Sequence, residues 1–217
     1  MFFVITTFLS YLTYEDEFQR IFDVNIHRVL VLLDLRKENT VGTWFSSILF
    51  LITGLSFVLL GWSSNFKIAN WQRLIFKLTA IGAVLLSADE VASIHETVGK
   101  WLKRAAEDLI NFLPIDNKGF IWVVLFAPIA IAGLIATVIA LHKVIATTSV
   151  SKQMATWALW LAVLCLPMVF IFEMLEWYLY SKQQHIGSLS CWEEMFELLG
   201  MYSLFTCAVL IAGRHKL

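Results

Sequence analysis

Long apolar runs separated by short polar intervals dominate the chain. Five of them, at residues 43–62, 78–97, 119–141, 156–180 and 192–212, each approach or exceed the roughly 20 residues an α-helix needs to cross a bilayer. The pattern predicts an all-α, polytopic membrane helix bundle forming a single domain over residues 1–217. Residues 1–13 are apolar but short for a crossing, and form a candidate sixth span; they lack the basic n-region and small-residue cleavage site of a signal peptide. Residues 14–42 read as an outer-face amphipathic segment, because Phe22, Ile26, Val29, Leu30 and Leu33 form one helical stripe. Trp101, Leu102, Ala105, Leu109 and Phe112 form a second interfacial stripe, which Pro114 ends. Pro128 and Pro167 fall inside spans and suggest kinks, while Ala132, Ala136 and Ala140 make a small-residue row suited to close helix packing.

The loop charges give an orientation. Lys67, Arg73 and Lys77 follow the first span, Lys143 and Lys152 the third, and Arg214 and Lys216 the fifth. The positive-inside rule assigns these segments and the C-terminus to the cytoplasm, which fits a bacterial inner-membrane protein. Composition agrees: 59% of residues are hydrophobic and 15% charged, with 17 Phe and 9 Trp. Ordinary soluble domains lie nearer 45–50% apolar and about 25% charged. A net charge of −1 offers no footprint for nucleic acid, so the bilayer is the expected partner. Three cysteines without a CxxC pair exclude a disulfide framework or a zinc ribbon. Cys165 and Cys207 read as packing residues, and Cys191 as an edge residue with nothing beside it to activate a thiolate.

The candidate chemistry lies in three short acidic runs. Asp89 and Glu90, followed by His95 and Glu96, occupy the outer half of the second span. Glu173 and Glu176 lie in the outer third of the fourth, and Glu193, Glu194 and Glu197 in the first turns of the fifth. Under the orientation above, all nine groups fall between mid-bilayer and the outer surface. An unpaired charge at the centre of a bilayer costs about 2.5–3.5 kcal/mol on insertion scales. Such acids must therefore face the bundle interior and share protons or a cation. As one helical register, Asp89, Ser93 and Glu96 lie on one face. Asp89, Glu90, His95, Glu96, Glu173, Glu194 and Glu197 are the candidate metal ligands, and carboxylates with one imidazole suit a divalent cation such as Ca²⁺, Zn²⁺, Mn²⁺ or Fe. Glu193, at a helix start, is accounted for by the helix macrodipole. Glu176, beside Trp177 and Tyr178, marks the interface as readily as a site.

Familiar catalytic patterns are missing. No Glu-x-x-His, His-Glu-x-x-His, Gly-x-Ser-x-Gly or Gly-rich phosphate loop occurs, which removes the ferritin-like, zincin and hydrolase readings. The runs Leu86-Ser87-x-Asp89-Glu90 with His95-Glu96, and Glu193-Glu194-x-x-Glu197-Leu198-Leu199-Gly200, resemble those of a family of uncharacterised bacterial multipass membrane proteins. Asp34 to Ser46, with Glu38, Thr43 and Trp44, resembles the segment leading into that family's next span. The likeness runs from about residue 30 onward. It implies the motif residues and no particular reaction.

Three functions fit these residues. Ion conduction or transport follows from intramembrane acids opening outward, although the first span and the inner halves of the second and fourth offer few polar residues to continue a path. A conducting path of that kind would run along the axis of a homo-oligomer. A metal-dependent enzyme acting on a lipid or periplasmic substrate suits a cluster open to one side, with Asp89 or Glu96 as general base. A structural or regulatory subunit would use the acids for interhelical hydrogen bonds. The reading adopted is an outward-facing carboxylate/His cluster that binds a divalent cation.

Overall fold

The computed structural model describes residues 41–64, 68–94, 97–98, 101, 121–147, 152–182 and 188–213. These form five helices: α1 (Val41–Trp62), α2 (Asn70–Ala92), α3 (Ile121–Thr147), α4 (Lys152–Ser181) and α5 (Ser188–Ala212). The N-terminal segment, its amphipathic stripe and most of the second stripe lie outside the described residues. Four helices are long and apolar enough to cross a membrane: α1, α3, α4 and α5.

Helix α2 differs from the hydropathy reading at both ends. A start at residue 78 was expected, because Arg73 and Lys77 look like loop charges. The helix instead begins at Asn70, where the Gln72 side chain accepts the Ala69 N–H at 2.8 Å and satisfies one orphan donor of the first turn. Arg73 donates to the Ser63 carbonyl and so ties the turn to the end of α1. Hydropathy marks where a helix leaves the hydrocarbon, not where it starts. At the other end the helix stops at Ala92, well before residue 97. Ser93 adopts a left-handed conformation (φ 46°), and its N–H bonds the Asp89 carbonyl at 2.7 Å. The single helical register expected for Asp89, Ser93 and Glu96 therefore breaks at Ser93.

The other helices also outrun their apolar windows. His142 and Lys143 continue α3, Lys152 opens α4, and Ser188 opens α5 a turn before residue 192. Both α3 and α4 remain helical through Pro128 and Pro167. The small-residue row on α3 is buried only at its end: Ala140 is fully enclosed, and Ala132 is exposed. Thr137 makes the closer tie there, its hydroxyl 2.7 Å from that of Thr79 on α2.

Neighbouring helices pack in sequence, α1 on α2, α2 on α3, α3 on α4 and α4 on α5, and α5 closes the ring against α1. Without water to drive apolar surfaces together, such a bundle depends on close packing and interhelical hydrogen bonds. Gly54 supplies one such approach: a Cβ there would lie 3.1 Å from Val84 Cγ2 and 3.2 Å from the Ala80 carbonyl oxygen. The apolar core runs from Leu49 and Leu198 to the far end of the bundle, where α1 ends and α2 begins. Phe57, Leu60 and Phe76 meet Leu141, Ile145, Leu159, Leu204 and Ile211 there, with the Phe57 and Phe76 ring centroids 5.7 Å apart. The acids lie at the opposite end, so the bundle is polarised along its axis.

Exposed aromatics mark both ends. Trp62, Trp71, Trp157 and Trp160 surround the apolar end, and Trp44, Trp192 and Tyr178 the acidic end. Lys77 sits 4.9 Å from the Trp62 ring centroid, Lys143 5.1 Å from that of Trp71, and Lys182 5.9 Å from that of Tyr178. Trp and Tyr with nearby cations are what a helix presents where hydrocarbon gives way to headgroups. Between these belts Leu55, Leu85, Ile135 and Leu164 are among the large apolar side chains left on the outer surface, as a lipid-facing surface requires.

Candidate functional site

At the acidic end three helices bring carboxylates together. Oxygens of Glu90, Glu194 and Glu197 all lie within 4.8 Å of one another. Glu90 stands in the last turn of α2, while Glu194 and Glu197 share one face of α5 by their i, i+3 spacing. Because α2 packs on α1 and α3 while α5 packs on α4 and α1, the trio meets across the bundle interior. Glu197 lies deepest: its Oε1 is buried and has no hydrogen-bond partner among the described residues. A buried oxygen left in that state costs roughly 1–3 kcal/mol.

Among the described residues the surrounding charges are of one sign. Glu197 is acted on by Glu90 and, more weakly, by Glu193, Glu173 and Asp89. Glu194 feels Glu197, Glu90 and Glu173. Among the described residues no Lys or Arg offsets them. Either protons or a cation must hold these carboxylates together at such separations.

Two further acids serve as fasteners between α4 and α5. Glu193 hydrogen-bonds Glu173, a contact between two carboxyls that requires one proton between them. Glu176 accepts the Ser190 hydroxyl at 3.0 Å. Next to them the Phe172 and Phe196 rings stack at 5.5 Å, and Trp192 packs on Phe196 at 6.4 Å. The expected macrodipole role of Glu193 is thus replaced. Helix α5 starts at Ser188 and has no acid in its first turn, which places Glu193 in the second turn and against α4.

Of the seven candidate ligands, the structure brings Glu90, Glu194 and Glu197 together. Glu173 and Asp89 lie within electrostatic reach of Glu197. His95 and Glu96 lie outside the described residues. What the sequence reading passed over is α1. Its buried face carries Thr43, Ser46, Ser47, Thr53 and Ser56, a row of hydroxyls that starts at the level of the acids. Ser47 donates to the Ser87 carbonyl at 2.9 Å and lies 3.0 Å from the Ser87 hydroxyl. Ser87 itself is one turn from Glu90. Spacing held the signal, since positions 43, 46 and 47 fall on one helical face. All three cysteines are buried, Cys191 included, so the expected edge position of Cys191 is inside the bundle.

An α-helical membrane bundle with an acidic cluster at one end is the class these observations define. The chain belongs to the family described as a domain of unknown function, DUF8692, whose model matches residues 1–212. No curated protein and no solved structure matches it.

Proposed function

We propose that Glu90, Glu194 and Glu197 hold a divalent cation inside the membrane, and that the protein conducts or transports that cation. The observation that carries this reading is the meeting of three carboxylate oxygens within 4.8 Å, drawn from two helices, with no Lys or Arg offsetting them among the described residues. A divalent ion would neutralise most of their charge and supply the partner that Glu197 Oε1 lacks. Glu173, Glu193 and Glu176 need no ion, because Glu173–Glu193 and Glu176–Ser190 are matched pairs.

In this reading α2 is a fifth crossing helix, and its acids at the bundle's axis are tolerated because they face protein. The basic residues near the apolar end, Arg73, Lys77, Lys143 and Lys152, support a reading in which that end is cytoplasmic in a bacterial inner membrane and the carboxylates open outward. Transport is favoured by the buried hydroxyls of α1 at Thr43, Ser46 and Ser47; Thr53 and Ser56, further along, bond carbonyls of their own helix. Beyond Ser56 the interior is apolar, with the Phe57 and Phe76 ring centroids 5.7 Å apart.

The test is Mn²⁺ and Ca²⁺ binding to detergent-purified protein by equilibrium dialysis, wild type against Glu90→Gln and Glu197→Gln. Stoichiometric binding lost in both variants is expected. Unchanged binding in both would remove the site, and liposomes that hold the protein yet pass neither ion would remove transport.

A further inference from the structure

Most hydroxyls in the bundle bond back to their own helix, and Ser47 and Ser190 bond across to Ser87 and Glu176; among the described residues Ser46 does neither. Buried or half-buried hydroxyls on these helices donate to the carbonyl three or four residues back: Thr53 to Leu49, Ser56 to Thr53, Thr79 to Ile75, Thr137 to Gly133 and Ser203 to Leu199. That back-bond is how Ser and Thr satisfy themselves where no water reaches. Ser46 is 0% exposed, and its Oγ makes no such bond and no other. Among the described residues, Ser46 Oγ and Glu197 Oε1 are the two buried side-chain oxygens without a partner.

Their places in the fold bring them to the same interior. Ser47, Gly54 and Gly61 repeat at seven residues and face α2, where they meet Ser87, Ala80 with Val84, and Lys77. Ser46, Thr53 and Leu60 stand about 100° round from these and are 0%, 0% and 1% exposed. The neighbour on that side is α5, the other principal partner of α1. In depth, Ser46 lies about 1.5 Å from the level of Ser47 and Ser87, and Glu90 stands about 4.5 Å further along α2. Helical register thus puts Ser46 on the α5-facing side of α1, at about the depth of the carboxylates.

We propose that Ser46 supplies a neutral oxygen to the cation held by Glu90, Glu194 and Glu197, making a site shared by α1, α2 and α5 that prefers hard cations of the Mn²⁺, Mg²⁺ and Ca²⁺ type. The inference rests on the cation reading above. Hydroxyl and carboxylate oxygens match hard ions, whereas thiophilic ions such as Cd²⁺ gain from sulfur. A back-bonded serine is already satisfied; a fully buried, unbonded one at the depth of an unbonded carboxylate oxygen has its hydroxyl left for a ligand.

Exchanging the donor atom tests this. Mn²⁺ and Cd²⁺ affinities are measured by equilibrium dialysis on purified wild type, Ser46→Ala and Ser46→Cys. Loss of the hydroxyl in Ser46→Ala should weaken Mn²⁺ about tenfold. Ser46→Cys, which puts sulfur in the same place, should move the Cd²⁺/Mn²⁺ affinity ratio toward Cd²⁺ by about tenfold or more relative to wild type. The ratio is internal to each sample, so a reduced folded fraction does not mimic the shift. Wild-type Mn²⁺ affinity in Ser46→Ala with an unchanged ratio in Ser46→Cys would overturn the role of Ser46 and leave the three-glutamate site standing. Wild-type protein that binds neither ion would overturn that site and the role of Ser46 together.

Discussion

The hydroxyl of Ser47 on α1 lies 3.0 Å from that of Ser87 on α2 and 2.9 Å from the Ser87 carbonyl oxygen. This contact fixes the register of the two helices one turn from Glu90, and so sets how far the Glu90 carboxylate reaches toward α5. Interhelical hydrogen bonds in membranes are worth about 0.6–2 kcal/mol. Ser47→Ala should lower stability by an amount in that range, measured as detergent-phase thermal unfolding. Ser87→Ala in the same background should cost little more, because the pair is already lost. Additive losses would mean that the two hydroxyls act separately.

Gly200 makes the closest helix approach near the acids. A Cβ there would lie 2.7 Å from Cγ and Cδ2 of Leu166 and 3.3 Å from Cys165 Cβ. Gly200→Ala should therefore destabilise the bundle by about 1–3 kcal/mol through overpacking. Leu166→Ala in the same chain should restore much of the loss, because it removes the atoms in the way. A Gly200→Ala variant as stable as wild type would show that Leu166 repacks without cost.

Much of this arrangement was legible in the sequence, and the reasons are local. Apolar length gave the five helices, because hydrocarbon thickness fixes the number of residues needed. The i, i+3 spacing of Glu194 and Glu197 already put both on one face of α5, and the cost of intramembrane charge implied that this face turns inward. The helix ends were less accessible. Arg73 and Lys77 look like loop residues, yet the Gln72 side chain and the Arg73–Ser63 contact start α2 earlier. The left-handed turn at Ser93 carries no Gly or Asn to announce it. The hydroxyl face of α1 was overlooked for a different reason: hydropathy averages Thr43, Ser46 and Ser47 into a strongly apolar window and loses their direction. Which acid faces which depends on the neighbouring helix, as Glu173 does for Glu193, and no single-helix pattern contains that.

Cys165, Cys191 and Cys207 are all buried, at 1%, 4% and 0% exposure. A water-soluble maleimide should leave the folded protein unmodified and label all three thiols after denaturation, as read by intact-mass spectrometry. Because Cys191 opens the α5 turn that leads to Glu193, its selective labelling in the native state would show that the start of α5 departs from α4.

Adjacent glutamates should separate the two uses of acid at this end of the bundle. Glu193 bonds Glu173 across to α4, whereas Glu194 belongs to the trio with Glu90 and Glu197. In Glu193→Gln the amide can donate to the Glu173 carboxylate without any shared proton, so both stability and Mn²⁺ binding should persist. Glu193→Leu offers no donor and should cost about 1–3 kcal/mol, because it strips a partner from a buried polar group. Glu194→Gln should do the reverse: the helix pair stays intact, like-charge repulsion within the trio falls, and Mn²⁺ binding is lost. Stability and equilibrium dialysis on the same three preparations would check this. If Mn²⁺ binding disappears in Glu193→Gln and survives in Glu194→Gln, the ion belongs between α4 and α5, at Glu173 and Glu193, and the trio is the proton-sharing cluster instead.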